Sequence, residues 1–275
     1  MNTNLDKINK ISNFAKNCRV NILEMALSAG SSSSHFGGAL SIVEIVSTIF
    51  DSYINIDSNK NLSKDRNRFI LSKGHACLAY YAALCEKGLI SKDKLQTFEK
   101  NETDLLGHPV INKDIGVEFS TGSLGMGLSI AIGLGVSYKK RGFKNRIFVV
   151  LGDGECNEGS VWEAAMAIPN FNLNNINVIV DNNGFQQTGK NHEIMNTESL
   201  KDKWESFGWK TEILDGHNIE KLFNYFENNK NPKIPQALIA KTIKGKGFSF
   251  SENNNDWHHT ILTKSNFDKA LKEIN

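Results

Sequence analysis

Proline and cysteine are scarce in this chain, four of each in 275 residues, and neither is arranged as a framework. Cys18, Cys77, Cys85 and Cys156 form no CxxC pair, which argues against a disulfide scaffold or zinc ribbon and suits a reducing, cytoplasmic compartment. No apolar run approaches the ~18–20 residues that a membrane-spanning helix needs. The opening stretch, Met1-Asn2-Thr3-Asn4-Leu5-Asp6-Lys7, carries no apolar core of the kind a secretory leader has. An excess of one charge is also missing. The 32 basic residues meet 30 acidic ones for a net +2, and no basic face stands out, so nucleic acid is a poor partner. There is no low-complexity linker and no internal repeat. Clusters such as Asn253-Asn254-Asn255 read as compositional bias. With 40% hydrophobic and 23% charged residues, the expectation is a single globular domain over 1–275.

Two short apolar runs are the most informative feature present. Arg146-Ile147-Phe148-Val149-Val150-Leu151 reads as a buried strand that stops at Gly152-Asp153-Gly154. Ile176-Asn177-Val178-Ile179-Val180 reads as a second, stopping at Asp181-Asn182-Asn183-Gly184. A helix-like segment, Ser160 to Ala167, lies between them. A parallel crossover places both strand ends at the C-terminal edge of one sheet, where open α/β folds bind ligands. Asp153, Asn183 and the Phe185 carbonyl then offer hard oxygen atoms to Mg²⁺, a cation that shares its shell with ligand phosphates. Gly152 and Gly154 let the backbone turn tightly beside an anion, and the helix starting near Ser160 aims its positive end at the same edge. Taken alone, Gly-Asp-Gly is a common turn; the weight lies in the 27 residues, 155–181, that separate it from Asn182-Asn183, with a strand leading into each.

Elsewhere, spacing predicts a long amphipathic helix over Leu5 to Ala29, a break at Gly30 to Gly38, and helix again from Ser41 to Ile54. Arg68 to Leu71 reads as a strand running into Ser72-Lys73-Gly74-His75 and a helix, Ala76 to Lys87. Further helices are expected at Lys92 to Phe98, Gly122 to Tyr138, Leu200 to Phe207 and Ile219 to Glu227. Strands are expected at Thr211 to Leu214 and Gln236 to Lys241, with loops over Lys244 to Phe248 and Asn253 to His259. The alternation predicts an α/β fold: a mainly parallel, doubly wound sheet with helices on both faces.

His35, His75, His108 and His259, or its neighbour His258, sit in expected loops. Singly each is an ordinary hydrogen-bonding histidine. Beside a metal clamp they suggest a polar pocket able to bind hydroxyls and phosphate oxygens or to move protons. Gly122-Ser123-Leu124-Gly125-Met126-Gly127 precedes its strand rather than following one, which argues against a dinucleotide fingerprint. Two uses remain for it: Gly122 to Leu124 touching a cofactor, and Gly125 to Gly135 allowing close packing. Cys156, beside the first motif, is a packed small residue or a reactive thiol.

Six stretches in order resemble the N-terminal, diphosphate-binding part of transketolase, across nearly the entire chain. Ser34-His35-Phe36-Gly37-Gly38 resembles the family's SGHPGG, with Phe36 where proline is usual. Arg68 to His75 resembles RFILSKGH. Leu106-Gly107-His108-Pro109 resembles GHP, and Thr121 to Gly127 resembles TGSLGQG. Leu151 to Glu158 matches LGDGE-x-x-E, which with Asn182-Asn183 makes the GDG…NN pattern of thiamin diphosphate enzymes. Trp257-His258-His259 resembles the terminal W-H-H or W-H-G.

The resemblance implies a thiamin diphosphate-binding fold and the cofactors thiamin diphosphate and Mg²⁺. By it, Asp153, Asn183 and the Phe185 carbonyl hold the metal. His75, Gly122, Ser123, Leu124, Gly154 and Asn183 contact the cofactor together with His259, and His35, His108 and His259 line the substrate channel. Glu158 and Glu163 join a carboxylate relay across a subunit interface, although on their own they are acids at a helix start, which the dipole favours. A full transketolase is more than twice as long, and nothing after Lys241 is long enough to supply its pyrimidine half. The resemblance therefore implies a split enzyme that moves a two-carbon ketol unit from a ketose to an aldose. Its partner is a C-terminal subunit carrying the pyrimidine and C-terminal domains, in a heterotetramer with two copies of each (α2β2), and its substrates are sugar phosphates or nucleotide-sugar-type compounds. Alternatives are a subunit resembling deoxyxylulose-phosphate synthase or a 2-oxoacid dehydrogenase α chain, or a non-catalytic binding or regulatory subunit of the same fold.

Overall fold

The computed structural model of the protein describes residues 2–55 and 65–274. In chain order its elements are α1 (Asn2–Ala29), α2 (Phe36–Leu40), α3 (Val43–Ser52), β1 (Arg68–Leu71), α4 (Cys77–Glu86), α5 (Lys92–Leu95), α6 (Met126–Arg141) and β2 (Ile147–Gly152). There follow α7 (Gly159–Asn170), β3 (Ile176–Asn182), α8 (Asn191–Ile194), α9 (Leu200–Ser206), β4 (Lys210–Asp215), α10 (Ile219–Asn228), β5 (Gln236–Lys241) and α11 (Lys264–Ile274).

The strands form one sheet in the order β1-β2-β3-β5-β4, with every neighbour parallel. Side chains alternate across a strand, so a parallel sheet covered on both faces needs apolar residues at consecutive positions. β2 supplies them. Phe148 and Val150 enter the core built with α1, α3, α4 and α10. Ile147, Val149 and Leu151 enter the opposite core, built with α6, α7 and α9. Each such fully buried side chain stabilises by ~1.5–3 kcal/mol. The doubly wound α/β architecture expected from the alternating pattern is the one observed.

Several boundaries differ from expectation, for local reasons. The helix expected from Gly122 begins only at Met126, because Gly122 (φ +151°) and Gly125 (φ +81°) hold left-handed backbone that a helix cannot continue. α6 closes at left-handed Gly142, where the N–H of Phe143 reaches the Tyr138 carbonyl at 2.9 Å. The helix expected from Ser41 starts at Val43. The Ser41 hydroxyl instead donates to Gly38 O (3.0 Å) and to Asp181 Oδ2 (2.6 Å), the competition that disfavours serine inside helices. β3 runs two residues past Val180, since Asp181 and Asn182 keep their register with Ala240 and Lys241 of β5. α11 is an addition to the expected elements. Its partly buried Phe267, Leu271 and Ile274 and its buried Ala270 pack on the core that α1 helps to build. Among the described residues no helix is long and apolar enough to cross a membrane.

Phe36, in the place of the usual proline, occupies the first position of α2, where a proline would also fit. Its N–H donates to the Ser34 carbonyl at 3.0 Å, a bond proline cannot make. Its buried ring lies 5.5 Å from Trp257 and stacks on Phe248 at 6.0 Å.

β1, β2, β3 and β5 end together at one edge of the sheet. The segments that leave them, Ser72 to His75, Asp153 to Glu158, Asn183 to Gln187 and Thr242 to Gly247, meet there.

Candidate active site

Parallel register decides what is adjacent at that edge. Gly152 pairs with Asp181, and the Asp153 N–H donates to the Asp181 carbonyl at 3.1 Å. Asp153 is 1% exposed. Its Oδ1 accepts from the Gly154 N–H (2.8 Å), and its Oδ2 accepts from the Gly184 N–H (2.6 Å) and Asn182 Nδ2 (3.0 Å). No described lysine or arginine forms an ion pair with it. Burial, and then nearby Asp181, push its carboxyl above the usual range. A buried carboxylate with no described ion-pair partner has the chemistry to take a cation. Asn183 and Phe185 lie on the same wall. Asn183 Oδ1 accepts from the Phe185 N–H (3.0 Å) and its Nδ2 donates to Asp181 Oδ2 (2.9 Å). Among the described residues no cluster of three histidine, cysteine or acidic side chains exists that would hold a metal unaided. One carboxylate, one amide and one carbonyl fit a Mg²⁺ that completes its shell with phosphate oxygens and water.

These groups line a cavity of about 340 Å³. Residues singled out from the sequence border it: His35, His75, His108, Gly122, Leu124, Asp153, Gly154, Glu158, Asn183 and Phe185, together with Gly152 and His258. Gly74 makes the junction possible. A side chain there would put Cβ 2.7 Å from Gly122 N, in the backbone of the 121–122 turn. The histidines cluster across sequence distances that no periodicity relates. The His35 ring centroid lies 5.4 Å from each of His75, His108 and His258, and 4.3 Å from His259. Burial first, then His259, His108 and Lys244, hold His35 down at about 3. Burial, then Lys244, does the same for His258, also about 3, and His75 is pushed well below its ordinary value, chiefly by burial. These three rings are therefore neutral at physiological pH, able to accept or relay a hydrogen bond without adding charge.

Three expected site residues do not line the cavity. Ser123 is exposed beside it, and Glu163 is exposed on α7 while Glu158 stands at the rim. His259 is also exposed, held against His35 and hydrogen-bonded to Ser33 Oγ at 3.1 Å. His258 is the member of the pair that enters the cavity wall. Residues 254–257 end in a one-turn helix, and the backbone leaving it turns His258 inward and His259 out. Cys156 is buried, its thiol pushed up by burial, so it is a packed residue and not a reactive one.

Four residues carry the site without having been assigned a part from the sequence. Lys73, in the cavity wall, pairs through Nζ with Asp181 Oδ2 at 2.5 Å. Lys244 is 1% exposed. Its Nζ lies 2.9 Å from His258 Nδ1 and donates to Gln186 O (3.2 Å) and Asn255 Oδ1 (2.5 Å). Burial, then Lys73, lower it to about 8. Glu155, 2% exposed, accepts from Ser72 Oγ (2.5 Å), the Gly125 N–H (2.8 Å) and the Gly152 N–H (3.0 Å), tying three cavity segments to one carboxylate. The signal for Lys244 was available: a lysine flanked by glycine just after the last strand of a parallel sheet stands at the ligand edge.

The family model of the transketolase, thiamine diphosphate binding domain, matches residues 12–274. An apulose-4-phosphate transketolase subunit from Actinobacillus succinogenes is 39% identical over 240 residues, covering 87% of both chains. The 6-deoxy-6-sulfo-D-fructose transketolase subunit SqwG of a Clostridium species is 36% identical over 241 residues, covering 87% of this chain and 88% of that one. Among solved structures, transketolase from Campylobacter jejuni superposes with a TM-score of 0.84 at 25% identity. That match takes in 98% of this chain but only 43% of the Campylobacter chain.

Proposed function

This chain belongs to the transketolase thiamine diphosphate binding family, and from that premise we propose that it is the diphosphate-binding subunit of a two-subunit, Mg²⁺-dependent transketolase. The observation that carries the proposal is the convergence of Asp153, Asn183, Phe185, Lys244 and His258 on one cavity at the C-terminal ends of parallel strands. Asp153, Asn183 and the Phe185 carbonyl hold the metal. Lys244 and His258 hold the diphosphate with His75, Gly154 and the Gly122 to Leu124 turn, Ser123 flanking it. His258 takes the cofactor contact first given to His259, because His258 faces the cavity and His259 does not.

Thiamin diphosphate, when held by these residues, would supply the nucleophilic carbon for ketol transfer. The protein binds, orients and moves protons around it. Neutral His35, with His108 and His259 at the mouth, accepts and returns hydroxyl protons of a ketose donor and an aldose acceptor, help typically worth ~10²–10⁴-fold. Glu158 at the rim and Glu163 on the exposed face of α7 form a carboxylate relay where the partner chain docks. That partner is a C-terminal transketolase subunit with the pyrimidine and C-terminal domains, in a heterotetramer (α2β2). The two relatives whose names call them subunits are matched over most of their length, which supports a partner chain. Sugar phosphates are the substrate class. Four unpaired cysteines suit a cytoplasmic enzyme.

The test is ketol transfer from a ketose phosphate to an aldose acceptor by this chain, with and without a C-terminal transketolase subunit. Activity only with both supports the reading. Turnover by this chain alone would sink the two-subunit proposal, and absence of Mg²⁺-dependent cofactor binding would favour a non-catalytic role.

A further inference from the structure

Behind the cavity, on the far side of the loop that follows β5, three side chains from distant parts of the chain form a line. Arg19 of α1 meets Glu44 of α3 (Nη1 to Oε1, 2.6 Å), and Glu44 meets His217, after β4 (Oε2 to Nδ1, 2.8 Å). All three side chains are 10–13% exposed. Both ends of the line grip the same loop. His217 Nε2 accepts the Ile243 N–H at 2.8 Å, and Arg19 Nε donates to the Lys246 carbonyl at 3.4 Å. Lys244 lies between those two points. Gly247 closes the fit, since a side chain there would bring Cβ to 2.6 Å from Arg19 Nε.

We propose that Arg19, Glu44 and His217 are positioning residues that clamp residues 243–247 so that Lys244 Nζ is aimed into the diphosphate cavity. This rests on the cofactor reading above and deepens it.

Proton bookkeeping sets the direction. A ring nitrogen that accepts a peptide N–H carries no hydrogen, so the hydrogen of neutral His217 sits on Nδ1 and is donated to Glu44. Glu44 must then be a carboxylate. Although burial works against it, Arg19 and the His217 hydrogen bond hold its carboxyl at about 2. Arg19 thus fixes the charge of Glu44, Glu44 fixes the tautomer of His217, and the tautomer fixes the backbone next to Lys244. A long lysine stem otherwise samples many rotamers, and locking its Cα removes part of the cost of placing the ammonium.

The experiment measures binding of inorganic diphosphate with Mg²⁺ to the full chain by calorimetry, with melting temperature followed in parallel. An asparagine at 217 mimics Nδ1 only, and a glutamine mimics Nε2. His217→Asn is expected to weaken diphosphate roughly tenfold and His217→Gln to stay within about threefold of wild type, the range spanned by one hydrogen bond. In a Lys244→Ala background, His217→Asn is expected to add nothing, because coupled residues are non-additive while independent ones add. Arg19→Lys keeps a charge beside Glu44 but loses the Nε–H, and is the milder probe should His217→Asn not fold; it is expected to weaken binding by roughly threefold. Equal effects of Asn and Gln, or a full His217→Asn penalty without Lys244, would overturn the clamp while leaving the cofactor reading intact. Unchanged affinity in Arg19→Lys would overturn it as well. A wild-type chain that binds no diphosphate would overturn both.

Discussion

Lys73, in the cavity wall, and Asp181 form an ion pair, Nζ to Oδ2 2.5 Å, with side chains only 2% and 0% exposed. Lys73 also donates to the Gly38 carbonyl at 2.9 Å, and Asp181 accepts from Ser41, Asn183 and Thr242. The pair ties the ends of β1 and β3 to the start of α2, the segment that presents His35.

Breaking that pair from one side strands a buried charge. Lys73→Met is expected to lower the unfolding free energy by about 3–5 kcal/mol. The double variant Lys73→Met/Asp181→Leu is expected to lose less than Lys73→Met alone, because no charge is left behind. Urea unfolding followed by tryptophan fluorescence measures both. A double variant as unstable as the sum of the two single variants would contradict this account.

Lys244 offers a pH test of the cavity. Its ammonium is held down to about 8 by burial and Lys73. A lysine above its pKa is neutral, so affinity for inorganic diphosphate should fall as pH rises through 8. Lys244→Arg, whose charge persists, should flatten that limb even if it binds more weakly throughout. Calorimetric titrations from pH 7 to 9.5 distinguish the two; parallel profiles would exclude Lys244 as the titrating cation.

The depressed histidines predict acid sensitivity. His35 and His258 fall from 6.5 to about 3 on folding, so between those values the unfolded chain binds more protons than the folded one. Stability is therefore complete above pH 6.5 and is lost as pH falls from there towards 3. In His35→Asn/His258→Asn the slope of unfolding free energy against pH in this window should be shallower than in wild type. Equal slopes would assign the acid sensitivity to other groups.

Gly74 tests whether the turn at Gly122 needs its close approach. Gly74→Ala places a methyl 2.7 Å from Gly122 N, an overpacking expected to cost roughly 1–3 kcal/mol and to displace the 121–124 turn. Cofactor affinity should fall together with melting temperature. Gly88→Ala, where a Cβ meets nothing within 4 Å but φ is +76°, separates the two effects: it should cost stability alone.

The sequence by itself determined the layered fold and the cofactor class. β2 and β3 carry apolar residues at consecutive positions, and only a sheet covered on both faces buries such a run. Asp153 and Asn183 follow those strands directly, so parallel register alone brings both to one edge of the sheet. Lys244 and His258 could not be placed this way. Each lies in irregular backbone, and their meeting depends on α1, α3 and the β4–α10 turn holding the loop after β5. The choice between His258 and His259 turned on one residue of backbone rotation after the 255–257 turn, which neighbouring identical side chains cannot signal. Glu155 and Lys73 sat inside recognised motifs, yet their parts became visible only when folding removed water and forced each buried charge to find its partners. Local pattern sets which face a residue takes; desolvation in the assembled core decides which charges must meet.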